Sequence, residues 1–434
     1  MSSDFKQMRN TAPKKSGKTA LRRVNEWLHL WLGLASGIVV FVVCLTGAIW
    51  VFNEEIMRWF EPSMRVGVRN EAVIEPSKVL SIAANAYPES KTTYAYYQQG
   101  TAVRVGVGTE ADPERHILYL NPYDGNIQGK TTYKKGETAF FDWILVGHRH
   151  MWLPHEIGQP LVNYGTLVFV ILLITGLIWW YPANWNAASR QKSFNIKWKA
   201  GWKRINLDLH NVLGFYALLV SLALALSGMV YGIAWYSKGL YWVTSGGESE
   251  PEWKRVSSDT TQQGKHYSYN QALDLVWERM ITENPSSGGF YYAFPDSTQA
   301  HSTISIRTYP APGRFYDVAR HTFDRHTLKR LEFFEVFDKS FEQASAGAKL
   351  RRMNYDIHIG TILGLPGKIL AFACSLIGAS LPVTGFIVWF NRKGFGKKNR
   401  KSKSQVKPGA MQISTKAICL ALLFLIENIL LSIS

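Results

Sequence analysis

Cysteine is scarce in this chain. There are three, Cys44, Cys374 and Cys419, and each falls inside an apolar run. That excludes a disulfide framework and a thiolate metal site, and leaves small packing residues as the reading. The sequence also lacks Gly-x-Gly-x-x-Gly after a strand, Gly-x-Ser-x-Gly and His-Glu-x-x-His. No nicotinamide or flavin domain, hydrolase elbow or zinc-protease helix is therefore expected. Acidic residues are missing where basic ones crowd. Residues 1–26 hold seven Lys/Arg against two acids, 183–207 six against none, and 391–411 eight against none. The net charge of +17 is concentrated there, and the rest of the chain is slightly acidic. Basicity confined to a tail and two short connections is a topology signal, not a nucleic-acid surface.

What is present in quantity is apolar sequence in long runs, over residues 27–52, 159–181, 209–236, 366–390 and 414–433. Each reaches about 20 residues, enough to cross hydrocarbon ~30 Å thick. The expectation is an α-helical polytopic membrane bundle. Four core helices form two repeats, and a fifth span is expected at the C-terminus, where Glu427 is an unusual member. The basic segments (tail 1–26, connections 182–208 and 391–413) mark the cytoplasmic side. Residues 53–158 and 237–365 then form two outer α+β domains.

Inside the helices the chain repeats itself. Arg23-x5-His29-x3-Gly33 matches Arg204-x5-His210-x3-Gly214, and Arg352-x5-His358 repeats the first half. Each of the first four spans carries a small hydroxyl–glycine pair: Thr46-Gly47, Thr175-Gly176, Ser227-Gly228 and Thr384-Gly385. An aromatic follows each: Trp50, Trp179, Tyr231 and Trp389. Close helix packing explains the pairs, and an interfacial belt explains the aromatics.

Imidazole has little use at a membrane helix end unless it binds something. His29 and His210 begin helices that leave the cytoplasm. His148 and His358 precede helices that return to it. Two depth-matched pairs follow, each drawn from both repeats, and two six-coordinate haems one above the other suit them. No Cys-x-x-Cys-His occurs, so the haems are held without thioethers. Gly33 and Gly214, one turn beyond their histidines, let a flat macrocycle approach. Arg23, Arg204 and Arg352 are candidate partners for propionates, with topology an equal reading for the first two. At the outer face His148-Arg149-His150 offers two ligands, and position does not choose between them. His116, His266, His301, His321 and His326 read as scattered surface residues.

In the outer segments PSKVLSIAANAYP and YNQALDLVWERMITENP read as helices, and TTYAYYQQ, AVRVGVG, HILYLNPYDGNIQGK, STISIRTY and DVARHTFDRHTLKRLEFFE as strands. Tyr123 to Ile127 is expected to correspond to Asp324 to Leu328, so the outer domains are duplicated with the helices.

The runs HLWLGLASGIVVFVVCLTGAIWVF, DLHNVLGFYALLVSLALALSGMVY and DIHIGTILGLPGKILAFACSLIGASLPVTGFIVWFNR resemble the PepSY-associated transmembrane family over roughly residues 20–395. The outer domains resemble PepSY modules. Within the family the chain looks most like iron-regulated membrane proteins, including FoxB-type ferrisiderophore reductases. The resemblance implies a haem-dependent oxidoreductase of the bacterial inner membrane with two non-covalent, bis-histidine haem b groups. It implies electrons passing outward to a ferric siderophore in the periplasm. The donor is a quinol or a cytoplasmic reductase. Family ligand motifs fall on His29, His210 and His358. A Leu-His-Arg pattern falls on Gly147-His148-Arg149, which favours His148, and Arg149 and His150 become possible contacts at the outer site. The alternative expectation is a haem-free protein that binds a peptidase or transporter, or a permease.

Overall fold

The computed structural model describes residues 19–392 except 183 and 312. Cys419 and the fifth apolar run lie outside the described residues. Among those described, four helices are long and apolar enough to cross a membrane. They are α1 (Ala20–Val51), α4 (His155–Trp180), α5 (Trp202–Gly232) and α9 (Gly364–Arg392). Leu219, Ile38, Ile174 and Ile369 are exposed on them, as side chains facing lipid should be. α4 packs along both α1 and α5. α5 is interrupted by a π turn over Leu209–Leu213, which carries His210; such turns cluster at functional sites.

Two shorter helices lead into the second and fourth spans. α3 (Phe140–His150) packs on α1, and α8 (Ala346–Ile359) on α5 and on α6 (Ala234–Thr244). Each ends in a sharp turn. After α8 it uses Gly360 and Gly364, both at positive φ. After α3 the left-handed residues are Met151 (φ 53°) and Trp152 (φ 55°), which glycine would adopt more cheaply. Trp152 is held by its indole N–H donating to the Trp143 carbonyl at 2.9 Å. A Cβ on Gly147 would stand 2.2 Å from the Trp152 ring, so leucine does not fit there.

The extramembrane segments do not form two separate domains. Each keeps its own helix and four strands, but the strands make one antiparallel eight-stranded sheet, ordered β4-β3-β2-β1-β5-β6-β7-β8. The first segment gives β1 (Thr92–Gln98), β2 (Val103–Val107), β3 (Glu114–Leu120) and β4 (Ile127–Lys134). The second gives β5 (Gly289–Ala293), β6 (Thr303–Tyr309), β7 (Ala319–Asp324) and β8 (Arg330–Leu331). Edge strands β1 and β5 join the halves, with Tyr94 opposite Ala293 and Tyr96 opposite Tyr291. Pairing two edges removes both as aggregation templates.

One face of the sheet is covered by α2 (Pro76–Ala86) and α7 (Tyr269–Glu283). α2 starts with proline at its first turn, and α7 with a Ser268/Gln271 capping box. Their apolar sides and the alternating strand residues form one shared core. Tyr292, Phe323, Leu118 and Met280 are fully buried there, each contributing roughly 1.5–3 kcal/mol. The duplicated turn is displaced by two residues from the expected match. Asn121 and Asp324 accept equivalent backbone bonds from Gly125 and Leu328, both left-handed. His116, His321 and His326 are buried, not surface residues. His116 stacks on Tyr87 at 3.7 Å, and His326 donates its backbone N–H to the Asp324 carboxylate and its Nε2–H to the Ala300 carbonyl.

Candidate functional site

The four repeat histidines meet in two pairs. His29 and His210 face each other with ring centroids 6.3 Å apart. His148 and His358 do so at 6.0 Å. The second pair lies nearer the sheet, because α3 and α8 connect sheet to spans. Along α1 the contacts to the two pairs, His29 and Gly47, stand roughly 27 Å of helix apart. One pair therefore lies near each membrane face. His150 is not part of either. It packs on His155 at 4.7 Å, and its Nε2 is buried without a partner. Arg149 is exposed.

Each ring is held by the hydroxyl–glycine pair of a neighbouring helix. His29 Nδ1 lies 2.9 Å from Thr175 Oγ1, and His210 Nδ1 2.9 Å from Thr384 Oγ1. His148 Nδ1 lies 3.3 Å from Thr46 Oγ1 and 2.9 Å from the Val43 carbonyl. His358 Nδ1 lies 3.1 Å from Ser227 Oγ and 3.0 Å from the Leu224 carbonyl. All four hydroxyls donate to the carbonyl one turn back in their own helix. Their lone pairs are what remains for histidine, so each Nδ1–H donates. That tautomer makes Nε2 the lone-pair nitrogen a metal needs.

The glycine of each pair makes room for the ring. A Cβ at Gly47, Gly176, Gly228 or Gly385 would lie 3.0–3.2 Å from Cε1 of its histidine. These pairs therefore seat imidazoles, a closer role than the general packing expected of them. The aromatics likewise do more than mark an interface: Trp179 packs on His29 at 5.4 Å and Tyr231 on His358 at 5.9 Å.

Three asparagines were not picked out by sequence reasoning. Asn25, Asn206 and Asn354 each stand four residues before a histidine. Each donates at 3.0 Å to the carbonyl of the hydroxyl residue its histidine uses: Thr175, Thr384 and Ser227. The shared offset was the available signal. His148 lacks it, with Ile144 in that position.

The arginines part company. Arg23 is exposed on α1. Arg204 pairs with Asp208 at 2.8 Å, and its Nη2 is buried without a partner. Arg352 is not available for a cofactor. It is 3% exposed, and its three nitrogens donate to the carbonyls of Tyr316, Lys339 and Val318. It ties α8 to the loops beneath the sheet.

The donor set fits an iron macrocycle. Two imidazole–metal bonds of roughly 2 Å, with a ring radius at each end, span roughly 6 Å between centroids. Among the described residues no group of three or more His, Cys, Asp or Glu gathers as a metal site. Two imidazoles are too few for zinc's tetrahedral set, but suffice as axial ligands where a macrocycle supplies the equatorial donors. Between His148 and His358 lies a pocket with a mainly apolar lining that includes Val40, Val43 and Phe169. At the other pair, a Cβ on Gly33 would meet only Leu172 at 3.8 Å, and one on Gly214 only Leu381, at 3.4 Å or more. Protein packing does not require glycine there, whereas a flat ligand beside the histidines would.

No curated protein sequence matches the chain. The model of the PepSY-associated TM region matches residues 26–392, from just before His29 to the end of α9. With four membrane-capable helices and a helix-backed sheet between them, the chain belongs to this membrane-protein family.

Proposed function

We propose that the protein is a dihaem reductase of the bacterial inner membrane, carrying electrons outward to ferric siderophores in the periplasm. The carrying observation is the geometry of the two histidine pairs: rings 6.3 and 6.0 Å apart, each fixed through Nδ1. Haem b held by two histidines supplies a one-electron carrier without an open position for oxygen. His29 with His210, and His148 with His358, would hold the iron through Nε2. Thr175, Thr384, Thr46 and Ser227 orient the rings, and the apolar lining excludes water. The basic segments 1–26, 183–207 and 391–411 support a cytoplasmic N-terminus and a periplasmic sheet. The acceptor reaction is Fe(III) plus one electron giving Fe(II), which hard oxygen ligands hold more weakly. A membrane quinol, losing two electrons and two protons, serves two ferric ions; a cytoplasmic reductase is the other donor class.

The test is a dithionite-reduced minus oxidised spectrum of the purified protein, with pyridine haemochrome quantification. The expected result is b-type haem at two per chain, reoxidised by a ferric chelate. Haem-free protein from cells supplied with haem overturns the reading. One observation then favours a partner-binding role. A wide cleft between residues 68–75 and α7 is lined by Tyr123, Asp274, Trp277 and Glu278, with room for a peptide.

A further inference from the structure

The sheet face opposite α2 and α7 carries one row of aromatic and cationic side chains. Register places Tyr119, Arg104, Tyr96, Tyr291, Arg307 and Arg320 side by side across β3, β2, β1, β5, β6 and β7. Their chain neighbours Val105, Tyr97 and Ile306 fill the core on the other face, as strand alternation requires. The row crosses the β1–β5 junction, so neither half of the chain contains it alone.

Its guanidiniums lie over rings: Arg104 is 4.8 Å from the Tyr96 centroid, Arg307 5.1 Å from Tyr291 and Arg320 5.2 Å from Trp253. A stacked guanidinium keeps its N–H edge for an in-plane acceptor. Among the described residues none of the three forms an ion pair. Arg307 hydrogen-bonds Tyr309; Glu54 faces Tyr96 and Tyr309, and Asp338 faces Arg320 without contact. Arg307 stands directly opposite Arg320, an arrangement that destabilises a sheet. Burial and this neighbour pull the Arg320 guanidinium down to about 10. Folding does not need two half-buried cations in register. An anion between them does.

The row also leads to the histidine pair near the sheet. Tyr309 packs on Phe315 at 6.4 Å, and Phe315 on Tyr355 at 4.9 Å. Tyr355 shares a hydrogen bond with Trp50, which lines the His148–His358 space.

We propose that this row is the docking site for a polyanionic ferric chelate of the catecholate class. Its oxygens bond Arg104, Arg307 and Arg320, and its rings lie against Tyr96 and the stacked pair Tyr94–Tyr291, 5.3 Å apart. The inference rests on the reductase reading and adds the substrate class.

The test uses full-length, haem-loaded, oxidised protein in zwitterionic micelles, where no lipid phosphate competes. The probes are the trianionic Fe(III) complex of a synthetic linear tricatecholate and an uncharged Fe(III) trihydroxamate. Binding is read by quenching of tryptophan fluorescence and needs no electron transfer. R307Q and R320Q should each weaken tricatecholate binding about tenfold and leave trihydroxamate binding unchanged. Removing Arg307 relieves its opposition to Arg320, so R307Q should unfold no lower than the parent in a thermal scan. Wild-type tricatecholate affinity in both variants, no tricatecholate binding at all, or equal losses for both chelates overturns the proposal. Reoxidation of dithionite-reduced protein by each chelate separates the two readings. Arginine-dependent binding without reoxidation sinks the reductase and keeps the docking site. Reoxidation with arginine-independent binding does the reverse.

Discussion

Replacing Thr175 by valine removes one oxygen and keeps the shape. In the parent, Thr175 Oγ1 donates to the Ile171 carbonyl at 2.9 Å and receives His29 Nδ1–H at 2.9 Å. Valine ends both. The helix loses little, because the Ile171 carbonyl already serves the backbone. The ring loses the acceptor that sets its tautomer and angle, although it keeps a bond to the Leu172 carbonyl. One net hydrogen bond of this kind is worth about 1 kcal/mol, or roughly fivefold in affinity; partners behind a ligating histidine range upward from about tenfold. The expected result for T175V is haem loss from the His29–His210 site about five to ten times faster, followed by transfer to apomyoglobin. A weaker acceptor at Nδ1 also makes the imidazole less basic. The ferric state loses stabilisation, and the potential of that site should rise by tens of millivolts. The other site is a control in the same molecule. Unchanged haem release and unchanged potential in T175V would refute the account of the hydroxyl–glycine pairs, provided a thermal scan shows the variant folded.

The remaining predictions concern ligand choice, an arginine and a buried histidine. H148A should drop haem content from two per chain to one, while H150A keeps both, as counted by pyridine haemochrome; the reverse outcome transfers the ligand role to His150. R352A should destabilise the protein by about 3 kcal/mol, because buried carbonyls lose a charged donor. R352K should not restore it, since one ammonium cannot reach three directions; urea unfolding followed by circular dichroism reads both. Burial, with Arg330 nearby, lowers His321 from 6.5 to about 4. Below pH 6.5 the unfolded chain binds the proton and the folded one does not. Stability from this group is therefore complete above pH 6.5 and is lost as pH falls towards 4, by up to about 3 kcal/mol. H321Q should flatten that part of the stability–pH curve, and an unaltered slope would show that another group sets it.

Much of the site was legible because the repeat is written in short, regular spacings. The Arg-x5-His and Thr/Ser–Gly signatures located His29, His210, His358 and the four hydroxyls, whereas the choice of His148 over His150 came from the family resemblance. What they could not show was which helix each hydroxyl would face. Thr46 meets His148 from 102 positions away, and Thr175 meets His29 from 146. Without that contact, a small residue beside a glycine reads as packing. Arg352 misled for the complementary reason. It shares a spacing with Arg23 and Arg204, but sits among loop carbonyls beneath a sheet, not at a basic membrane edge. Strand β5 escaped because GFYYA is five residues long and follows a Ser-Ser-Gly-Gly turn. Missing it hid the join between the halves, and with it the row of arginines and tyrosines that only the joined sheet aligns.

The same division of labour recurs at both membrane faces. Each histidine is tied down by a hydroxyl of its own repeat: His29 by Thr175, His148 by Thr46, His210 by Thr384, His358 by Ser227. Each then faces a histidine of the other repeat. A half-chain would orient its imidazoles correctly and still offer only one to any metal. The spacing between partners must therefore come from whatever fixes one repeat against the other. α4 does this within the membrane by packing on both α1 and α5. The β1–β5 pairing does it outside, five register positions long, with the shared core beneath. On this argument the His148–His358 spacing depends on the sheet as much as on the helices. Loosening the β1–β5 seam should disturb that pair before it disturbs His29 and His210, which lie on α1 and α5 at the ends away from the sheet.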